Sequence, residues 1–167
     1  RPRAQQLPTS RADEELLRTL VHYFKEHEQG EHAFEACAVA IARLLDAHII
    51  DWQMTRFSVD GGRDATGRYR VGDEHSRVDV EFALEAKCKG PSFGSGVKET
   101  SRLISRLRHR QFGIFVTTSY IGDQAYREIM EDGHPVMIIT GADICRILAR
   151  AGYNTPSKLK DWLSERF

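Results

Sequence analysis

The chain has 167 residues, of which 41% are hydrophobic and 29% charged, and this size predicts one soluble globular domain with a substantial core. Basic and acidic side chains number 24 each, so the formal net charge is zero and nucleic-acid binding would have to depend on local clusters of charge. Three widely spaced cysteines without a CxxC pair indicate reduced thiols in a cytoplasmic protein rather than a disulfide framework or a zinc site, and no apolar run is long enough to span a membrane.

The N-terminal part of the chain predicts a linker followed by two helices. Residues 1–10, RPRAQQLPTS, are polar and contain two prolines, which is typical of a linker remnant, so we expect the folded domain to cover residues 11–167. The sequence begins without methionine, and together with the linker this predicts a separate recognition domain N-terminal to Arg1 in the natural protein. Ser10 is a candidate N-cap for a helix that reaches about His27, and residues 32–47 have the apolar pattern of a second helix.

The remainder of the chain alternates between predicted strands and helices. We expect strands at 52–59, from 68 onward, at 77–88, at 112–119 and at 135–140. Helices are predicted at 96–110, 122–132, within 142–152 and at 156–166. Because helices precede, interrupt and follow the strands, the pattern predicts an α/β fold whose central mixed β-sheet is flanked by helices.

One predicted strand carries charge along one of its faces. Alternation within residues 77–88 places an apolar set on one face (Val78, Val80, Phe82, Leu84, Ala86, Cys88) and a charged set on the other (Asp79, Glu81, Ala83, Glu85, Lys87). The ordinary interpretation is the solvent-facing side of an edge strand. Ala83, in the middle of the charged set, indicates instead that this face is partly covered. Glu85 and Lys87 come at the carboxyl end of the strand, where open α/β sheets usually place their sites.

A second acid, Asp64, precedes Glu85 by about twenty residues, in the turn GGRDATG. Asp64 and Glu85 could share a Mg²⁺ ion, with the carbonyl of Ala86 as a further oxygen ligand and Mn²⁺ as a substitute. Two carboxylates about 4 Å apart repel by roughly 4 kcal/mol at an effective dielectric constant near 20, so such a pair favours a cation between them. Lys87 could orient a water molecule and offset charge on a phosphate, so the set suits phosphodiester hydrolysis.

Asp64 followed by EAK at residues 85–87 resembles the PD-(D/E)xK nuclease pattern. The stretches FEACAVAIARLL, LEAKCKG and FGIFVTTSYIGDQAYREIMEDGHPVMIITGADICRIL are similar to Mrr-like restriction endonuclease domains, over roughly residues 31–150. In this chain Arg63 stands where the family pattern has a proline. The resemblance implies a restriction-endonuclease-like fold and a Mg²⁺-dependent DNA endonuclease, the cleavage domain of a restriction enzyme, with dependence on modified bases as one option.

The same resemblance implies a role for Glu35 as an additional ligand of metal or water, whereas its sequence context alone allows an ordinary glutamate on a helix surface. Two other functions stay open. One is a junction-resolving or repair nuclease of the same fold. The other is a catalytically degenerate DNA-binding module, against which the joint presence of Asp64, Glu85 and Lys87 argues.

A basic segment follows the candidate site. Residues 96–110 contain a single acid, and helical spacing places four candidate DNA-binding residues near one face: Lys98, Arg102, Arg106 and His109. The apolar side chains expected to contact the core are Val97, Ile104 and Leu107. We expect this face to contact the backbone of double-stranded DNA, although a solvated helix face would give the same pattern. A single site of this kind cuts one strand per encounter, so double-strand cleavage predicts a homodimer or a transient dimer.

Overall fold

The computed structural model describes residues 1–54, 65–105, 107 and 111–167. The helices are α1 Arg3–Gln6, α2 Arg11–Glu26, α3 Gly30–Leu45, α4 Val97–Ile104, α5 Asp123–Glu131, α6 Gly141–Arg150 and α7 Pro156–Arg166. The strands are β1 Ile49–Met54, β2 Ala65–Gly72, β3 Arg77–Lys87, β4 Phe112–Thr117 and β5 Val136–Ile139. Within the described part of the chain, no helix has the length and apolar character needed to cross a bilayer.

The sheet has five strands in the order β1-β2-β3-β4-β5. The pairs β1–β2 and β2–β3 are antiparallel, whereas β3–β4 and β4–β5 are parallel. The predicted mixed sheet is therefore confirmed. β3 lies in the centre of it, so the interpretation of residues 77–88 as a solvent-facing edge strand is wrong.

Helices cover both faces of the sheet and form two apolar clusters. The larger cluster joins α2, α3, α6 and α7 to one face of β3 through Phe82, Leu84 and Ala86. The smaller one joins α4 and α5 to the opposite face of the sheet, through Ala83 of β3 and Phe115 of β4. Both faces of β3 are thus covered from residue 82 to residue 86. Val78, which alternation places on the inward face, is 58% exposed because the first residues of β3 extend past the covering helices.

Two helices begin at residues whose side chains cap them, and the sequence predicts the cap at Ser10. The Ser10 hydroxyl accepts a hydrogen bond from Asp13 N and so caps α2, and Thr155 caps α7 in the same way through Lys158 N. The helix expected over 96–110 is described as α4 from Val97 to Ile104, with residues 106 and 108–110 outside the described part of the chain. Residues 55–59 of the strand expected at 52–59 also lie outside it, and the described strand begins earlier, at Ile49.

Residues 1–10, predicted as a linker remnant, contain α1 and pack against the rest of the chain. Gln6 is fully buried, where its Nε2 donates to Ile121 O at 3.1 Å and its Oε1 accepts from Ile121 N at 2.9 Å. Arg1 forms an ion pair with Asp143 at 2.6 Å, and the Arg3 guanidinium lies 4.3 Å from the centre of the Tyr120 ring. The segment is therefore attached to the loop that follows β4, and its role as a linker stays a prediction.

Candidate active site

The candidate site lies at the carboxyl end of β3. Because β3 and β4 run parallel, with Glu85 opposite Phe115 and Lys87 opposite Thr117, both strands end at the same edge of the sheet. The helices on that face leave Glu85 only 1% exposed. Burying a carboxylate costs several kcal/mol unless positive charge or hydrogen bonds compensate, so the surroundings of Glu85 must provide them.

Lys87 provides positive charge at this point. Its Nζ lies 2.9 Å from Glu85 Oε1 and donates a hydrogen bond to the carbonyl oxygen of Ala86 at 3.0 Å. Two of the three predicted metal-ligand groups, the Glu85 carboxylate and the Ala86 carbonyl, thus converge on one cationic group. Both are hard oxygen donors, which are the ligands that Mg²⁺ and related ions prefer, so the donor set fits a divalent cation.

The third predicted ligand, Asp64, lies outside the described residues. Among the residues that the structure does describe, no group of three or more His, Cys, Asp or Glu side chains is placed to hold a metal ion. The described part of the site therefore supplies one carboxylate and one carbonyl, and the ligand role of Asp64 stays a prediction.

Glu35 reaches the same region from α3. Burial raises the pKa of its carboxyl above the ordinary value, whereas a hydrogen bond with His32 and the positive charge of Lys87 act in the opposite direction. The distance between His32 Nδ1 and Glu35 Oε2 is 2.7 Å. The carboxyl is half-buried and the charge of Lys87 acts on its pKa, so its surroundings differ from those of an ordinary glutamate on a helix surface.

The basic segment approaches the site through α4. Arg102 is 43% exposed, and its Nη1 lies 4.0 Å from Glu85 Oε1. Lys98, one turn earlier on the same helix, is exposed. Val97, Ile104 and Leu107 pack against the smaller apolar cluster, as predicted. The other two predicted DNA-binding residues, Arg106 and His109, lie outside the described residues.

The structure adds Lys89 and Thr118, which sequence reasoning did not assign to the site. The Thr118 hydroxyl accepts a hydrogen bond from Lys89 N and donates one to Lys89 O, both at 2.7 Å. Thr118 N also donates to Lys87 O at 3.2 Å. These bonds continue the pairing of β3 with β4 past the last strand residues, so they support the position of Lys87.

The Lys89 side chain then ties the strand end to α4. Its Nζ donates to Gly94 O at 3.1 Å and forms an ion pair with Glu99 in the first turn of the helix. Gly96 N donates to the other Glu99 oxygen at 2.8 Å. Burial alone would raise the pKa of Glu99, but the hydrogen bonds from Lys89 and Gly96 lower it below the ordinary value. Glu99 is thus held in its charged form as a structural acid.

Known proteins resemble this chain in sequence and in structure. The family model Mrr_cat, described as restriction endonuclease, matches residues 27–148. The solved structure of the DNA modification-dependent restriction endonuclease AspBHI is similar with a TM-score of 0.89 and 47% identity, over 99% of this chain and 42% of that one. The structure of the MspJI restriction endonuclease in complex with a 27-mer oligonucleotide is similar with a TM-score of 0.81 and 28% identity, over 99% of this chain and 38% of that one. The chain therefore spans less than half the length of either relative. No curated protein matches it.

Proposed function

The chain belongs to the restriction endonuclease family, and from this premise we propose that it hydrolyses phosphodiester bonds of double-stranded DNA with a divalent metal ion, Mg²⁺ or in its place Mn²⁺. The observation that carries the proposal is the arrangement of Glu85, Ala86 and Lys87 at the end of β3. The Lys87 ammonium lies there within 3.0 Å of both a buried carboxylate oxygen and a backbone carbonyl oxygen.

The groups of the chain have separate tasks in this proposal. Asp64, Glu85 and the carbonyl of Ala86 hold the cation, and Glu35 adds a carboxyl beside Lys87. The chemistry that a divalent cation supplies in such sites is polarisation of the scissile phosphate and a lower pKa for the attacking water. Lys87 orients that water and offsets the negative charge that develops on the phosphate. Lys98 and Arg102, with Arg106 and His109, bind the DNA backbone.

The source of specificity is proposed to lie elsewhere in the natural protein. AspBHI is described as dependent on DNA modification, and this chain covers 42% of it. The groups assigned above bind phosphate and metal, and none of them reads base edges. We infer that the whole protein cuts DNA that carries a modified base, that a separate recognition domain finds this base, and that two cleavage domains act together on the two strands.

The experiment compares cleavage of methylated and unmethylated plasmid DNA by the 167-residue chain, at low salt, with Mg²⁺ or with EDTA. We expect nicking or slow cleavage that needs the metal ion. Glu85→Gln and Lys87→Ala should each lower the cleavage rate at least about a hundredfold, because each removes a group that stabilises the transition state. DNA affinity and the circular dichroism spectrum should change little.

The matched controls come from the same face of the same strand. Glu81 is an exposed acid and Arg77 an exposed base, and both precede the buried part of β3, so Glu81→Gln and Arg77→Ala alter like charges outside the candidate site. Both should cleave DNA as the unmodified chain does. A Lys87→Ala protein that nicks DNA at the control rate would remove Lys87 from the mechanism. Cleavage that continues in EDTA would remove the metal ion.

A further inference from the structure

The 88–96 loop, which connects Lys87 to α4 along the chain, exposes an aromatic side chain. Phe93 is 71% exposed, more than the other large hydrophobic residues that the structure describes as exposed. It lies at the end of a tight turn in which Phe93 N donates to Gly90 O at 3.0 Å. An exposed phenylalanine keeps a large apolar area in water, which is unfavourable unless a partner covers it.

The 88–96 loop is held in place on several sides. Lys89 Nζ donates to Gly94 O, and Ser95 pairs with Ile121 through a hydrogen bond from Ser95 N to Tyr120 O at 2.8 Å. At Gly94, a Cβ would come within 2.6 Å of the Tyr120 ring, so only glycine allows this close approach. The exposure of Phe93 therefore belongs to a defined loop conformation.

The position of Phe93 distinguishes it from other exposed apolar residues. Val78 lies toward the other end of β3, and Met130, which is 51% exposed, lies near the end of α5. Phe93 instead comes between the strand that ends in Lys87 and the helix that carries Lys98 and Arg102. The positive charges of Lys98 and Arg102 favour binding of a negatively charged partner. An aromatic ring in the loop that joins Lys87 to these cations favours a partner that also has flat apolar groups, and a nucleic acid combines negative charge with aromatic bases.

We propose that Phe93 is a DNA-contacting residue of this nuclease, and that its ring packs against a base next to the cleaved phosphate. The inference rests on the proposed DNA cleavage and adds an apolar contact to the ionic contacts of α4. In a duplex the flat faces of the bases are stacked on one another, so the ring reaches a base by entering between two base pairs and partly unstacking them, as apolar side chains of other DNA-binding proteins do. Such a contact differs from a phosphate contact in that it releases no counterions, so it leaves the salt dependence of binding unchanged.

The experiment measures binding of the 167-residue chain to a short fluorescein-labelled duplex in EDTA, by anisotropy, over a series of salt concentrations. Phe93→Ala should weaken binding about tenfold with an unchanged slope of log affinity against log salt. Phe93→Trp should restore affinity, and DNA should quench the emission that the new indole adds to that of the two native tryptophans. Met130→Ala and Met130→Trp are the matched controls, and they should show neither effect.

Four results decide the inference. The pattern above supports it, together with unchanged urea unfolding of Phe93→Ala. If Phe93→Ala binds as tightly as Met130→Ala while the unmodified chain binds and cuts DNA, the inference fails and the proposed function stands. Emission of Phe93→Trp that shifts with protein concentration in the absence of DNA would show that a second copy covers the ring, and would also overturn it. If the unmodified chain neither binds nor cuts DNA, the proposed function fails as well.

Discussion

Loss of the Gln6 side chain should destabilise the whole domain. Gln6 is buried in a short N-terminal helix, and its amide pairs with both backbone groups of Ile121, which is itself fully buried. Gln6→Met keeps most of the volume and leaves these two groups without their partner. Each such group costs about 1–3 kcal/mol, so we expect the free energy of unfolding to fall by about 2–4 kcal/mol, allowing for water that enters the site.

The assay is urea unfolding followed by circular dichroism, with Gln5→Met as the control. Gln5 is the exposed neighbour of Gln6 in the same helix, so the same substitution there removes no contact with Ile121. If the two variants unfold within about 0.5 kcal/mol of each other, the Gln6 bonds do not contribute to stability. Residues 1–10 would then behave as the unattached linker that their composition predicts.

The remaining predictions concern charge. Lys98→Ala and Arg102→Ala should each lower the slope of log DNA affinity against log salt concentration by about one, measured by anisotropy. Only Arg102→Ala should also lower the rate of cleavage at saturating DNA, because Arg102 contacts Glu85 and Lys98 does not. Burial would raise the pKa of Asp143, but hydrogen bonds from Arg1 and Thr140 lower it from 3.8 to about 2. The stability that these bonds provide, about 1–2 kcal/mol, is therefore complete above about pH 4 and lost as the pH falls toward 2, and Asp143→Asn should remove this dependence in urea unfolding curves recorded between those pH values.

The predicted restriction endonuclease family and the α/β fold are confirmed, because their signals are local in sequence. Helix caps such as Ser10, the alternation in residues 77–88 and the ordered motifs around EAK depend on neighbours within a few positions. For the same reason the apolar contacts of Val97, Ile104 and Leu107 were predictable from helical spacing alone.

Features that depend on distant pairs were not predictable. Gln6 and Ile121 are 115 positions apart, and Lys89 and Thr118 are 29 apart, so no periodicity joins them. The central place of β3 depends on β2 and β4 pairing with its two edges, which alternation within one strand does not reveal. The polar, proline-containing segment 1–10 has the composition of a linker, yet the buried amide of Gln6, together with Arg1 and Arg3, attaches it to distant residues.

The central position of β3 also has a consequence for folding. β3 belongs both to an antiparallel meander with β1 and β2 and to a parallel half with β4 and β5. The meander forms by pairing of strands that are neighbours in sequence, whereas the parallel half also needs the helical crossovers through α4 and α5. A nascent chain that has formed the meander alone lacks β4 and the bonds of Thr118 that support Lys87. Under the proposed function, the site would be complete only once β3 has paired with β4, so a chain that ends before β4 would carry Glu85 and Lys87 without a supported site.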